Sequence, residues 1–215
     1  MRYLAFDFDG TIVDSNFAIC EAMERACIRN GAQYVGDTEF TKMIGLDLEA
    51  CIRNATDEVL TDEQVAGITR SYRETFKYEL VNAFIGIKEV LEECIANGDR
   101  IGISTSRRAT SLKYLLEKND LDQYFRNMVS GDQVINPKPN PETLLKLSEK
   151  FECKPQELIL IGDTMWDMEM ANSIGAFTIG VTWGSHGESQ LLNACLLYTS
   201  PSPRDRTRSR MPSSA

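Results

Sequence analysis

From Gly86 onward the sequence alternates helical and strand-like segments with little between them, and that rhythm limits the fold more than any other feature. Helical spacing covers 86–97, closed by Asn97-Gly98, then a stretch near 108–118, then 141–151, opened by Asn140-Pro141, and 167–174, stopped by Gly175. Short apolar runs at 100–105, near 127–130, at 158–162 and at 177–182 fall between them. Strands joined through helices run parallel, and a parallel sheet needs helices on both faces. The expected class is therefore α/β, with a doubly wound parallel-sheet core.

One strand precedes this region. YLAFDF at 3–8 is apolar up to an abrupt Asp-Phe-Asp-Gly-Thr, the pattern of a buried strand running into a loop. From Ser15 the spacing is helical: Phe17, Cys20, Met23 and Cys27 recur at steps of three and four, and Asn30-Gly31 ends the run. Thr61-Asp62-Glu63-Gln64 is a capping-box signature opening a second helix, with Val65, Ile68, Tyr72, Phe76 and Leu80 on one stripe. The block interrupts the core after its first strand, so 15–81 is expected to be an inserted all-helical cap, with 1–14 and 82–194 forming the core.

Composition narrows the partners. The 215 residues are 42% hydrophobic and 26% charged, which suits a globular chain, and no apolar run approaches the length of a bilayer span. The first strand-like run begins at Tyr3, leaving no room for a signal peptide, so a cytoplasmic protein with no membrane partner is expected. Six cysteines form no CxxC pair and no cluster with histidine, and are expected to be reduced, mostly small core residues. Of the net charge of −9, the stretch from Cys195 contributes +3, leaving −12 on the body. A surface that acidic repels nucleic acid and favours a small-molecule partner.

In doubly wound sheets the functional loops lie at the carboxyl ends of the strands. Four polar clusters fall there: Asp7, Asp9, Gly10 and Thr11; Ser104, Thr105 and Ser106; Lys138 in NPKPNP; and Gly162, Asp163, Thr164 and Asp167. Carboxylates crowded on one rim repel one another unless a cation sits among them, and oxygen ligands without His or Cys select a hard ion, here Mg²⁺. A metal and a lysine around an anionic pocket suit a phosphoryl group. One carboxylate can attack phosphorus to give an aspartyl-phosphate, while a second, two residues on, transfers the proton of the leaving oxygen.

DFDGT at 7–11, the Thr-Ser of ISTS at 103–106, Lys138 in KPNP and GDTMWD at 162–167 resemble the four motifs of the haloacid dehalogenase superfamily. The helical insert between the first two motifs, and the FIGI turn at 84–87, are similar to its phosphoglycolate-phosphatase-like branch. The resemblance implies Asp7 as nucleophile and metal ligand, Asp9 as general acid/base with its backbone carbonyl on the metal, and Asp163 as a further ligand. It implies that Thr105, the Ser106 backbone and the amides after Asp7, at Gly10 and Thr11, bind phosphate oxygens, and that Lys138 pairs with Asp7 and the phosphoryl group. Asp167 would reach the metal through a water or hold Lys138. An acid at position 9 favours phosphate-ester chemistry, because the family's dehalogenases lack one there. The implied activity is an Mg²⁺-dependent phosphatase of a small phosphorylated metabolite, acting as a monomer or weak homodimer. A sugar-phosphate mutase of the same branch is the alternative. A phospho-accepting signalling module is another, but its acceptor Asp follows a middle strand and it has no cap.

Several of these residues also have plainer readings. Asp167 could be only a helix N-cap, and Asp14 and Ser15 a helix opening. Arg107 and Arg108 could reach substrate or form a solvated helix start, and His186, in the Gly-rich TWGSHG loop, is expected to have no catalytic part. Met43-Ile44-Gly45-Leu46-Asp47 resembles the loop that faces the site in this branch, whereas the aromatics at 72–76 read as cap core. Residues 195–215, CLLYTSPSPRDRTRSRMPSSA, are rich in Ser, Pro and Arg without periodicity and resemble a translated sequencing adapter. A disordered, non-native tail is therefore expected, with the authentic chain cut near Ala194 and the last strand left as a bare edge.

Overall fold

The computed structural model describes residues 1–194 and the backbone of 198–200. The chain begins with β1 (Tyr3–Phe6) and the short β2 (Val13–Asp14), then enters a helical segment of α1 (Asn16–Arg29), α2 (Asp37–Phe40), α3 (Leu48–Arg53) and α4 (Asp62–Thr75). It returns through β3 (Asn82–Ala83), which pairs antiparallel with β2. The alternating region follows as α5 (Ile87–Ala96), β4 (Arg100–Ser104), α6 (Ala109–Lys118), β5 (Asn127–Val129) and α7 (Glu142–Phe151), then β6 (Leu158–Gly162), α8 (Met165–Asn172), β7 (Phe177–Val181) and α9 (Glu188–Ala194). A last strand, β8 (Tyr198–Ser200), closes the order β5-β4-β1-β6-β7-β8, parallel throughout.

Side chains alternate across β1. Leu4 and Phe6 pack with Leu91 of α5 and Leu112, Leu115 and Leu116 of α6, while Ala5 meets Leu144, Leu147 and Phe151 of α7 and Met170 of α8. Both faces are thereby dry, as the α/β class requires. The register is what builds the site. Phe6 lies level with Ile103 of β4 and Ile161 of β6, so Asp7, Thr105 and Asp163 leave the sheet side by side on one rim. The chain turns to the opposite side of β1 after β5, and this reversal opens the crevice in which such sheets bind ligands.

The helical segment departs from its sequence pattern in two places. Cys20, Met23 and Cys27 are buried, but Phe17 is 68% exposed. Each step of three residues falls about 60° short of a full turn, so a run of such steps drifts around the helix and carries its first member off the buried face. The α4 stripe also stops early: Phe76 leaves the helix in extended backbone and is buried, while Leu80 is 38% exposed in a following 3₁₀ turn. The capping box at Thr61 forms as the sequence predicts.

No described helix is long and apolar enough to cross a membrane. The five described cysteines are free, with Cys20, Cys27 and Cys51 buried and Cys94 and Cys153 half-buried. At 198–200 the backbone is a strand beside Ile179–Val181 and not the structureless tail expected from composition, so the β7 edge is covered there. An unpaired parallel edge offers a row of free N–H and C=O groups, and Tyr-Thr-Ser suits extended backbone. The remainder of the adapter-like stretch lies outside the described residues.

Leu160 of β6 is fully buried between β1 and α8. Leu160→Ala is expected to lower unfolding free energy by about 2–5 kcal/mol, read as a lower urea midpoint with an unchanged m-value.

Candidate active site

Lys138 organises the rim. Its ammonium is buried and donates to Asp7 Oδ1 at 2.5 Å and to Asp167 Oδ1 at 2.6 Å. Burial alone would lower its pKa, but Asp167 and Asp7 overcome this and hold it above its ordinary value. Asp7, Asp163 and Asp167 are all buried and present carboxylate oxygens within 4.8 Å of one another. Three ionised carboxylates against one ammonium would leave an excess of two negative charges among buried side chains. Burial pushes Asp7 well above the ordinary carboxylate range against the pull of Lys138, with Asp167 and Asp163 adding to the rise. Asp163 is pushed up to about 7, first by burial and then by Asp167. An all-oxygen donor set with that charge excess fits a hard divalent cation of the Mg²⁺ kind.

Local sequence fixes each member. Asp7 donates its N–H to Ile161 O at 2.8 Å, extending the β1–β6 ladder by one residue. Asp163 Oδ1 accepts from Thr11 Oγ1 at 3.0 Å and Oδ2 from the Ser185 amide at 2.7 Å. Gly10, at φ +78°, and Gly184 stand against this carboxylate so closely that a Cβ on either would collide with it. Asp167 is not an N-cap: Thr164 caps α8, and Asp167 closes the capping box from the third position, Oδ2 accepting from the Thr164 hydroxyl at 2.5 Å and amide at 3.2 Å. Its other oxygen holds Lys138, one of the two parts the resemblance implied. This early cap is also why α8 opens at Met165 and not at 167.

A cavity of about 500 Å³ opens from Asp7 and Asp9 between the rim and the helical segment. Thr105 and Ser106 line it from the loop after β4, and Ile44, Gly45, Leu46 and Asp47 line it from the helical segment. Thr105 Oγ1 accepts from the Arg107 amide at 3.1 Å, and Ser106 Oγ donates to Gly45 O at 2.7 Å across the gap. Gly10 and Thr11 do not line the cavity: the Gly10 amide donates to Val13 O at 2.8 Å and the Thr11 hydroxyl goes to Asp163. The aromatics are not only cap core, because Tyr72, Phe76 and Tyr78 all line the same space.

Sequence reasoning missed two features. Arg107 is no solvated helix start: its side chain is 9% exposed and grips Asp9 bidentately, Nε to Oδ2 at 2.8 Å and Nη2 to Oδ1 at 2.6 Å. Burial works against the Asp9 carboxylate, but Arg107 outweighs it and holds the group below its ordinary range. Arg108, in contrast, is 54% exposed. His186, expected in an open loop, is buried; Nδ1 accepts from the Met165 amide at 3.0 Å, so Nε2 carries the proton and donates to Lys42 O at 3.0 Å. Trp166 Nε1 donates to the same carbonyl at 3.3 Å. No local signal marks either contact, because each joins segments far apart in sequence.

A parallel sheet with a carboxylate, lysine and hydroxyl rim at its switch point defines a phosphoryl-handling α/β enzyme. The family profile described as haloacid dehalogenase-like hydrolase matches residues 4–181. "Probable phosphatase IndB" of Dickeya dadantii is 31% identical over 191 residues, covering 86% of this chain and 83% of that protein. Phosphoglycolate phosphatase of Vibrio parahaemolyticus is 27% identical over 198 residues, covering 87% of each. The crystal structure of a hydrolase from Pseudomonas syringae superposes with a TM-score of 0.87 at 25% identity, over 97% of both chains. The chain belongs to the haloacid dehalogenase-like hydrolases, in the phosphoglycolate-phosphatase-like branch, and is with them a phosphoric monoester hydrolase.

His186 offers a test of how the helical segment is held. Burial pulls the imidazole below its ordinary 6.5, so below that pH the unfolded chain binds more protons than the folded one. Its stabilisation is full above this value and declines as pH falls beneath it. Wild type should exceed His186→Phe by about 1–2 kcal/mol at pH 8, and the gap in urea-unfolding free energy should narrow steadily towards pH 5.

Proposed function

We propose that the chain is an Mg²⁺-dependent phosphatase of a small phosphorylated metabolite, working through an aspartyl-phosphate on Asp7, with residues 15–81 as the cap over the site. The observation that carries this reading is the buried Asp7–Lys138–Asp167 arrangement beside Asp163, with Asp7 at the border of a cavity whose far wall is the helical segment. Asp7, Asp163, Asp167 and the Asp9 backbone carbonyl would hold the cation, which supplies positive charge to the phosphoryl oxygens and to the crowded carboxylates.

Lys138 keeps Asp7 oriented and opposes the rise in its pKa that burial imposes, and its ammonium adds charge on the side of the phosphoryl group. Thr105 and Ser106 stand on the same rim as Asp7, after the neighbouring strand, and supply hydroxyl and amide donors to the remaining oxygens. Asp7 attacks phosphorus, the bond to the alcohol oxygen breaks, and Asp9, protonated from water once it has left the Arg107 fork, gives that oxygen its proton. Asp9 then takes a proton from the water that hydrolyses the acyl-phosphate, returning Asp7 to its starting form. The helical segment, joined to the rim through Ser106–Gly45 and His186–Lys42, limits the water admitted. A signalling module needs none of this enclosure.

Asp7→Asn should reduce phosphate release to background while circular dichroism stays native, and near-wild-type turnover would overturn the nucleophile assignment. Asp9→Asn should cost about 10²–10⁴ in rate, more for an alkyl than for an activated aryl phosphate. Chelation should abolish activity, Mg²⁺ should restore it, and Ca²⁺ should inhibit. Mg²⁺ should also raise the melting temperature, because it binds only the folded triad, and a melt unmoved by saturating Mg²⁺ would contradict the metal assignment.

A further inference from the structure

Asp9 borders the cavity beside Asp7, yet neither of its oxygens is available: both are taken by parallel N–H bonds from Arg107, at 2.8 and 2.6 Å. A carboxyl held in that fork cannot turn towards a leaving oxygen. The guanidinium also rests 5.0 Å above the Phe76 ring, and its Nη1 makes only a 3.4 Å contact with Ser111. Arg108 follows on the same wall. The other carboxylates bordering this part of the cavity are already engaged: Asp47 caps α3, Glu49 pairs with Arg53, and Asp132 accepts from the Ala109 amide and Ser130. Arg107 is therefore the buried cation whose partner is a group with other work to do.

We propose that Arg107 determines specificity by exchanging Asp9 for a second anionic group, carboxylate or phosphoryl, on the alcohol portion of a phosphomonoester, so that Asp9 is freed only when such a substrate is bound. The proposal rests on the phosphatase reading above. The exchange conserves charge: one anion leaves the fork as another arrives, so the buried guanidinium is never unpaired. The flat fork suits carboxylate and phosphate alike, which an ammonium would not match in geometry. An ester with an uncharged alcohol leaves Arg107 on Asp9 and is turned over slowly.

Three esters that differ only at the far end test this: propyl phosphate, 3-(phosphonooxy)propanoate and propane-1,3-diol bisphosphate, assayed with Mg²⁺. Wild type should favour at least one charged ester over propyl phosphate by about 30-fold or more in kcat/KM, and which one identifies the anion read. In Arg107→Met the preference should fall within about threefold, with KM for the charged ester rising, and Arg107→Lys should retain part of it. A purely structural Arg107 would slow all three esters by one factor. That result, or a wild type without preference, overturns the proposal. Calorimetry with the matching non-hydrolysable phosphonates separates the two readings. No hydrolysis of any ester sinks the phosphatase assignment, while Arg107-dependent tighter binding of the charged phosphonate upholds the anion site and its absence refutes it.

Discussion

Three buried carboxylates around a single buried ammonium set the terms for the rest of the molecule. Such a cluster is unfavourable unless its oxygens are engaged, and here donors from four places in the chain reach both oxygens of Asp163 and Asp167 and Oδ1 of Asp7: Lys138 from the loop before α7, Thr11 from the loop after β1, the Ser185 amide after β7, and Thr164 at the head of α8. The doubly wound sheet brings those elements to one rim, with strands in level register and helices sealing both faces. On the metal-dependent reading proposed above, a cation would offset the negative charge that one ammonium leaves unbalanced.

The same sealing explains which parts were legible in the sequence. Asp7, Thr105 and Asp163 follow apolar runs whose lengths match, so their convergence can be read from strand ends alone, and Lys138 and Asp167 follow once those are placed. Arg107 was not legible. It lies 98 positions from Asp9, and two arginines ahead of a helix look like any solvated helix start. His186 was misread for a related reason, because its partners depend on how loops fold back and no short-range spacing records that. Phe17 shows the opposite failure, where a pattern was present but its steps of three drifted off the buried face.

The helical segment shares buried apolar contacts with the sheet side of the molecule, since residues from Leu4 to Ile68 and on to Phe125 form one continuous cluster. Its polar contacts with the rim are few and specific. Ser106, in the loop after β4, donates to Gly45, and a Cβ at Gly45 would press on Thr164, the cap of α8. Glycine is required there both for its backbone, at φ +103°, and for the closeness of the approach. Occupation of the cavity and the placing of this segment are therefore mechanically joined.

The Lys42 carbonyl receives both Trp166 and His186. Because the acceptor is a peptide oxygen and not a side chain, the fastening is blind to which residue stands at position 42, and drift there leaves it intact. The donors have no such freedom: an indole and an imidazole must persist at 166 and 186 for the grip to survive. Across descendants of this sequence, that asymmetry would leave position 42 variable and the two donors fixed.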